Sequence, residues 1–250
     1  MKQEASIIQV KNLTKKFGRF IANDNLCFEV RKGEIFGFLG ANGAGKTTAI
    51  RILCGLLLPT SGNIKVAGYD VTRQSNKVKK NIGYMSQRFS LYEDMTVKEN
   101  FRFYGGIYGM KTKSIRDKTD YYLAKLGLEK DRNTVIHSLP LGWKQKLAFS
   151  VAMMHDPAII FLDEPTGGVD PITRRQFWDM IYETAAAGTT VFVTTHYMDE
   201  AEYCQRVSIM VDGRIEALDT PESLKKKYKT TSMEEVFIQL ARGTKLKNKY

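Results

Sequence analysis

Cysteine is scarce in this 250-residue chain, with only Cys27, Cys54 and Cys204. They are scattered, form no C-x-x-C pair and have no neighbouring histidine cluster, which excludes a zinc ribbon and a disulfide framework and fits a reducing compartment. Long apolar runs are also missing. Ile35 to Leu39 and Ala158 to Leu162 are strand-sized, far short of the roughly 20 residues a membrane-spanning helix requires. The opening Met1-Lys2-Gln3-Glu4 carries an acid early and lacks the apolar centre of a secretory signal. A cytoplasmic protein is expected. No internal repeat or low-complexity segment is evident.

Apolar residues make up 43% and charged residues 26%, ordinary for a globular domain of a length that can bury a real core. Lys and Arg number 38 against 27 Asp and Glu, a net +11. Lys225, Lys226, Lys227, Lys229, Lys245, Lys247 and Lys249 crowd the tail. Such a run is usually a solvated, frayed terminus; the sharper reading is attraction to anionic lipid or nucleic acid.

Ile7 to Val10, Leu26 to Val30 and Glu34 to Leu39 are rich in β-branched and aromatic residues and predict strands. The last runs into a glycine loop, and a helix follows over Lys46 to Leu53. From about Arg88 to His155 the apolar spacing turns helical, over Phe101 to Tyr108, Ile115 to Leu126 and Trp143 to Met154. Buried strands return at Ile159 to Leu162 and Thr190 to Thr194. Between them a helix opens with Pro171 and stops at Gly188. Alternating strands and helices argue for an α/β fold with a mainly parallel sheet, N-terminal antiparallel strands and a helical insertion. The expected organisation is one domain over 1–250: a core at about 1–87 and 156–220, a helical subdomain at about 88–155, and a basic helical tail at about 221–250.

Gly40-Ala41-Asn42-Gly43-Ala44-Gly45-Lys46-Thr47 fits G-x-x-x-x-G-K-[ST] in full. Glycines let successive N–H groups turn inward as a nest for phosphate oxygens, and the helix that follows adds its positive end. Lys46 is expected on the β- and γ-phosphates and the Thr47 hydroxyl on Mg²⁺. At average glycine usage the pattern arises by chance about once in a hundred chains of this length. The strand before and helix after lower that further.

Ile159-Ile160-Phe161-Leu162-Asp163-Glu164 puts two acids at the end of a buried strand. Asp163 suits Mg²⁺ coordination through water, and Glu164 suits a general base for an attacking water. The bland alternative is a polar strand end turning at Pro165. His196 closes another apolar strand, and Gln87 ends a third, Ile82 to Met85. Each could be a plain strand-end residue, and Asp170 before Pro171 could be a helix cap alone.

Together these residues resemble the ATP-binding-cassette (ABC) ATPases along essentially the whole chain, most of all the ATPase subunits of ABC-2-type, multidrug-efflux-like exporters. The resemblance assigns Phe17 as the ring stacked on adenine and Gly40 to Thr48 as Walker A, with Gly40, Asn42, Gly43, Ala44, Gly45, Lys46, Thr47 and Thr48 around the phosphates. It makes Gln87 the Q-loop glutamine, touching both metal and chemistry, Asp163 and Glu164 the Walker B pair, Gly168-Val169-Asp170 the D-loop and His196 the switch histidine. Ser232 to Phe237 is similar to the family's C-terminal helix. One stretch departs: where the family reads Leu-Ser-Gly-Gly-Gln, this chain has Leu139-Pro140-Leu141-Gly142-Trp143, leaving Gly142 and a helix start as phosphate donors.

The resemblance implies ATP and Mg²⁺, hydrolysis, and a head-to-tail homodimer or heterodimer of nucleotide-binding domains. It further implies a membrane permease on a separate chain, with Arg88 to Val97 and the helical insertion as coupling surface, on the inner face of the cell membrane. A nucleic-acid or ribosome-directed ABC ATPase is the alternative. Nucleic acid is not expected as a partner, because such proteins usually join two cassettes or carry long inserts, and one Walker A loop without heptads is present here.

Overall fold

A computed structural model describes residues 6–87 and 90–247, the last four of these by backbone alone. In chain order its elements begin with β1 (Ser6–Phe17), β2 (Phe20–Arg31), β3 (Ile35–Gly40), α1 (Lys46–Leu53), β4 (Ser61–Val66), β5 (Tyr69–Asp70), α2 (Ser75–Asn81) and β6 (Ile82–Met85). The middle holds α3 (Val97–Ile107), α4 (Thr112–Leu126) and α5 (Leu141–Met153). The rest comprises β7 (Ile159–Asp163), α6 (Pro171–Ala186), β8 (Thr190–Thr195), β9 (Arg206–Val211), β10 (Arg214–Asp219), α7 (Pro221–Tyr228) and α8 (Met233–Lys247).

Two sheets form. One is antiparallel, in the order β2-β1-β4-β5; the other runs β10-β9-β3-β8-β7-β6. In the second, β3, β6, β7, β8 and β9 pair in parallel and β10 closes the edge antiparallel to β9. The expected mainly parallel core with N-terminal antiparallel strands is what forms.

Side-chain alternation divides the core. Phe36, Phe38, Phe161 and Phe192 share the face toward the antiparallel sheet; the first two and Phe192 meet Phe28 from it, Phe161 packs on Phe192, and the Phe38 and Phe192 ring centroids lie 5.3 Å apart. Ile35, Leu39, Ile160, Leu162, Val191 and Val193 face the other way, onto α5 and α6. Helix α1 lies between the two sheets, burying Ala49, Ile50, Ile52 and Leu53. Each buried Ile, Leu, Val or Phe side chain contributes about 1.5–3 kcal/mol, so α1 is anchored by Ile50, Ile52 and Leu53.

Between β6 and β7 the described residues hold helices and a single β-bridge, Thr96 to Val135. Helix α3 starts on a full capping box: Thr96 Oγ1 accepts from the Glu99 N–H, and the Glu99 carboxylate accepts from the Thr96 N–H.

Several elements differ from expectation. Strands β1 and β2 each run 12 residues, because their outward faces are polar and only alternate positions carry the apolar signal. The hairpins β4–β5 and β9–β10 are further additions: β4 buries only Ile64 and Val66, whereas β9 is buried over Val207 to Val211. The basic tail is no frayed end where it is described: α7 is capped by Thr220, Lys225 pairs with Glu202 at 2.8 Å, and Met233 and Val236 of α8 are buried. Side chains of Lys245, Lys247 and Lys249 lie outside the described residues, as do Arg88 and Phe89. No helix among the described residues is long and apolar enough to cross a membrane.

Candidate nucleotide site

Strand β3 ends at Gly40 and α1 begins at Lys46, so residues 41–45 must reverse the chain in five steps. Gly43 has φ +81° and Gly45 φ +101°, left-handed values that side chains resist. At Gly45 a Cβ would also lie 2.2 Å from the Ala22 carbonyl oxygen. Glycine there is a steric requirement. The loop is tied to its surroundings: Asn23 Nδ2 donates to the Gly45 carbonyl (3.1 Å) and the Gly213 N–H to the Ala44 carbonyl (3.1 Å).

Lys46 is 4% exposed, and its Nζ donates to the carbonyls of Gly40 (2.8 Å) and Ala41 (3.1 Å). The same ammonium lies 3.2 Å from Glu164 Oε1. Glu164 Oε2 accepts from Gln87 Nε2 at 2.9 Å and stands 2.9 Å from His196 Nδ1. Three groups distant in sequence thus converge on one carboxylate, whose side chain is 7% exposed. Its backbone is unusual too, with φ +51°, a cost that structures tolerate where surroundings over-determine the residue. Here the Glu164 N–H is held by the Thr194 carbonyl and hydroxyl.

Asp163 is fully buried at the end of β7. Its Oδ1 accepts from the Thr194 hydroxyl (2.6 Å) and, at 3.4 Å, from the Thr47 hydroxyl. Its Oδ2 is buried with no partner. Burial pushes this carboxyl above its ordinary value, against the two hydroxyl hydrogen bonds. A buried carboxylate oxygen without a donor beside a loop hydroxyl is what a divalent cation bound with a triphosphate needs, so the residues fit Mg²⁺. Among the described residues no three His, Cys, Asp or Glu side chains gather as a metal site.

A cavity of about 270 Å³ opens on the loop, lined by Asn42, Gly43, Gly45, Lys46, Thr47 and Thr48, with Gln87 and Glu164 on one wall. Phe20 and Ala22 form another wall. Phe17, the expected adenine ring, is half-exposed with Lys15 Nζ 4.9 Å from its centroid, and it is not among that cavity's lining residues. A second cavity, of about 320 Å³, shares Gln87 and Glu164 and adds His196, Leu141, Gln145 and Gly168.

Gly142 and Asp170 meet through Thr173, and neither lines the cavity on the phosphate loop. Asp170 caps α6, accepting from the N–H groups of Ile172 and Thr173 and from the Thr173 hydroxyl (2.6 Å), which hold its carboxyl below the usual range. A Cβ at Gly142, in the first turn of α5, would sit 2.6 Å from Thr173 Cγ2. Gln145 Nε2 donates to the Gly167 carbonyl. The N-termini of α5 and α6 therefore make one exposed surface, capped on the α5 side by Pro140 with no side-chain hydrogen bond. Sequence reasoning missed Thr194, the clamp for both acids; an apolar run ending in two threonines was the signal for it.

The sequence profile of the ABC transporter family matches residues 23–167. A protein of Escherichia coli (strain K12) described as "Probable multidrug ABC transporter ATP-binding protein YbhF" is 47% identical over 240 residues, 94% of this chain and 42% of that protein. The chain therefore spans less than half of that relative's length. "Linearmycin resistance ATP-binding protein LnrL" of Bacillus subtilis (strain 168) is 35% identical over 219 residues, 87% of this chain and 70% of its own. Among solved structures, "Dimeric structure of a post-hydrolysis state of the ATP-binding cassette MJ0796 bound to ADP and Pi" superposes with a TM-score of 0.77 at 26% identity, covering 85% of this chain and 98% of its own. With phosphate loop, buried acid pair and histidine on this frame, the chain belongs to the ABC transporter family and folds as its ATPase domain.

Proposed function

We propose that this domain binds Mg·ATP on the loop Gly40 to Thr48, hydrolyses it with Glu164 as general base, and supplies the energy for export through a membrane permease on another chain. The observation that carries the chemistry is the placement of the Glu164 carboxylate between Lys46, Gln87 and His196.

In this reading Lys46 gives its ammonium to the β- and γ-phosphates, exchanging its Gly40 and Ala41 carbonyls for phosphate oxygens. Thr47 and Asp163, with Gln87 alongside, would hold the cation, which would supply positive charge against that developing on the phosphates. Glu164 takes a proton from the attacking water. Gln87 and His196 keep the carboxylate oriented by donating to it, and the backbone clamp at Thr194 fixes the turn from which it projects. Asn42, Gly43, Ala44, Gly45 and Thr48 supply backbone and hydroxyl donors to the phosphates.

Gly142, the α5 start and Asp170 do not line the cavity on the loop, the arrangement expected if a second cassette brings its own α5 to this site. The relative solved as a dimer with ADP and phosphate supports pairing, and homodimer or heterodimer pairing both fit the geometry. The names of YbhF and LnrL support a drug or antibiotic as cargo. The segment from Ser90 to Val97 and helix α3 carry exposed Tyr92, Phe103 and Ile107, an apolar surface suited to a permease on the cytoplasmic face of the membrane. Purification from solubilised membranes tests this: the chain should bring down an integral membrane protein, and its ATP turnover should change in that complex. Recovery of the chain alone, with turnover indifferent to membranes, contradicts it.

A further inference from the structure

Glu200 is fully buried in the 3₁₀ helix Met198–Tyr203, which begins two residues after His196. A carboxylate taken out of water is costly unless it is paired. Here Oε1 accepts from the Thr166 hydroxyl at 2.5 Å and lies 3.7 Å from Arg174 Nε. Oε2 is buried with no hydrogen-bond partner. Thr166 is itself only 1% exposed. Replacing a buried ion pair by well-packed apolar residues is often neutral or stabilising, so stability is a poor account of this acid. Its position offers another.

Thr166 belongs to the turn that presents Glu164, closed by the Gly167 N–H on the Glu164 carbonyl at 3.3 Å. Glu200 belongs to the turn that presents His196. Its N–H donates to the Tyr197 carbonyl at 3.2 Å, and the Tyr197 N–H donates to Thr195 Oγ1 at 3.0 Å. Arg174, from α6, reaches the same turn: its guanidinium carbon lies 4.4 Å from the centroid of the Tyr197 ring, which is 4.2 Å from that of His196. We propose that Glu200 is a positioning residue for hydrolysis. Through Thr166 and Arg174 it locks the two turns together and so keeps His196 Nδ1 2.9 Å from the Glu164 carboxylate. Neither Glu200 nor Thr166 lines the cavity on the phosphate loop, so the grip on nucleotide and the alignment of the base are separable. The inference rests on the proposed role of Glu164 and adds to it a lock between distant segments.

The test uses Thr166→Val, which keeps the shape and removes the hydroxyl, and Arg174→Met, which keeps the stem and removes the charge. Calorimetry on the whole chain gives Mg·ATP affinity and the fraction of molecules that bind. Turnover is then expressed per binding molecule, so that misfolded protein does not count. Each variant should bind within about twofold of wild type and turn over at least about tenfold more slowly, since a misplacement of about 1 Å can cost about 10²-fold. Thr166→Ser, which retains the hydroxyl, should keep wild-type turnover. Should one variant fail to fold, the other carries the test; failure of both makes the contact structural and overturns the inference. Unchanged turnover per binding molecule overturns it too, as does Thr166→Ser as slow as Thr166→Val. A wild-type protein that binds Mg·ATP without hydrolysing it is a different result: it removes the proposed reaction, and the inference with it.

Discussion

Lys46 Nζ lies 3.2 Å from Glu164 Oε1, in a pair of side chains only 4% and 7% exposed. The cation that should grip phosphate is also the counter-ion of the group that should activate water, so the two roles are linked through one ion pair. Lys46→Ala removes a charged donor from the loop and leaves the buried carboxylate with Gln87 and His196. Charge-assisted hydrogen bonds contribute about 1.5–3 kcal/mol each. The expected result is a loss of at least about tenfold in Mg·ATP affinity, read by calorimetry.

Gly142→Ala probes the meeting of α5 and α6. Alanine favours a helix by up to about 1 kcal/mol over glycine, so the change should stabilise an unobstructed helix. Here the added methyl would sit 2.6 Å from Thr173 Cγ2, and overpacking of this kind typically costs about 1–3 kcal/mol. Thermal unfolding should show net destabilisation, largely relieved by Thr173→Ser, which removes that methyl and keeps the hydroxyl bonded to Asp170. Additive effects of the two changes would contradict the contact.

Much of this was legible in the sequence because loop and buried strands each carry their signal locally. Glycine, lysine and threonine at fixed spacing define the phosphate loop, and continuous apolar runs mark β3, β7 and β8. Helix α1 came out with the bounds read for it. Other features depend on partners far away in the chain. Glu164 is held by Gln87, 77 residues earlier, and by His196, 32 residues later, and no local pattern announces that. Strand β4 buries only Ile64 and Val66 of its six residues, too few for alternation to stand out. Phe17 and Phe20 are cross-strand partners at the hairpin turn, and nothing local in the sequence says that the second of them lines the cavity on the loop.

His155 stacks on Tyr108 with ring centroids 3.6 Å apart, and its Nε2 lies 3.0 Å from the Ile82 carbonyl oxygen. Burial holds this imidazole below its ordinary 6.5, opposed by that hydrogen bond and by Asp156. The sign follows from linkage: below the unfolded value, the unfolded chain takes up a proton that the folded chain refuses, so stability falls as pH drops. The contribution is whole above about pH 6.5 and is lost as pH falls through the folded value. Thermal melts between pH 7.5 and 5.5 should show this decline in the wild-type protein and a flatter profile in His155→Gln.

Pro140 caps α5 with φ −57° and ψ 150°, offering neither a side-chain acceptor nor an N–H. Serine there would accept from the first turn of α5 and present a hydroxyl to a facing nucleotide. Pro140→Ser with Leu141→Gly should tighten ATP-dependent dimerisation, measured by analytical ultracentrifugation. Dimerisation that is unchanged or weaker would show that this helix start is already matched to its partner.

The most direct test of the account is Mg·ATP affinity and ATP turnover measured side by side on wild-type and Glu164→Gln protein. Glutamine keeps the shape of the side chain and its contacts with Lys46 but cannot take a proton from water. The account predicts affinity within a few-fold of wild type and turnover lowered by about 10²–10⁴-fold, the usual worth of a general base. Wild-type turnover in Glu164→Gln would contradict it.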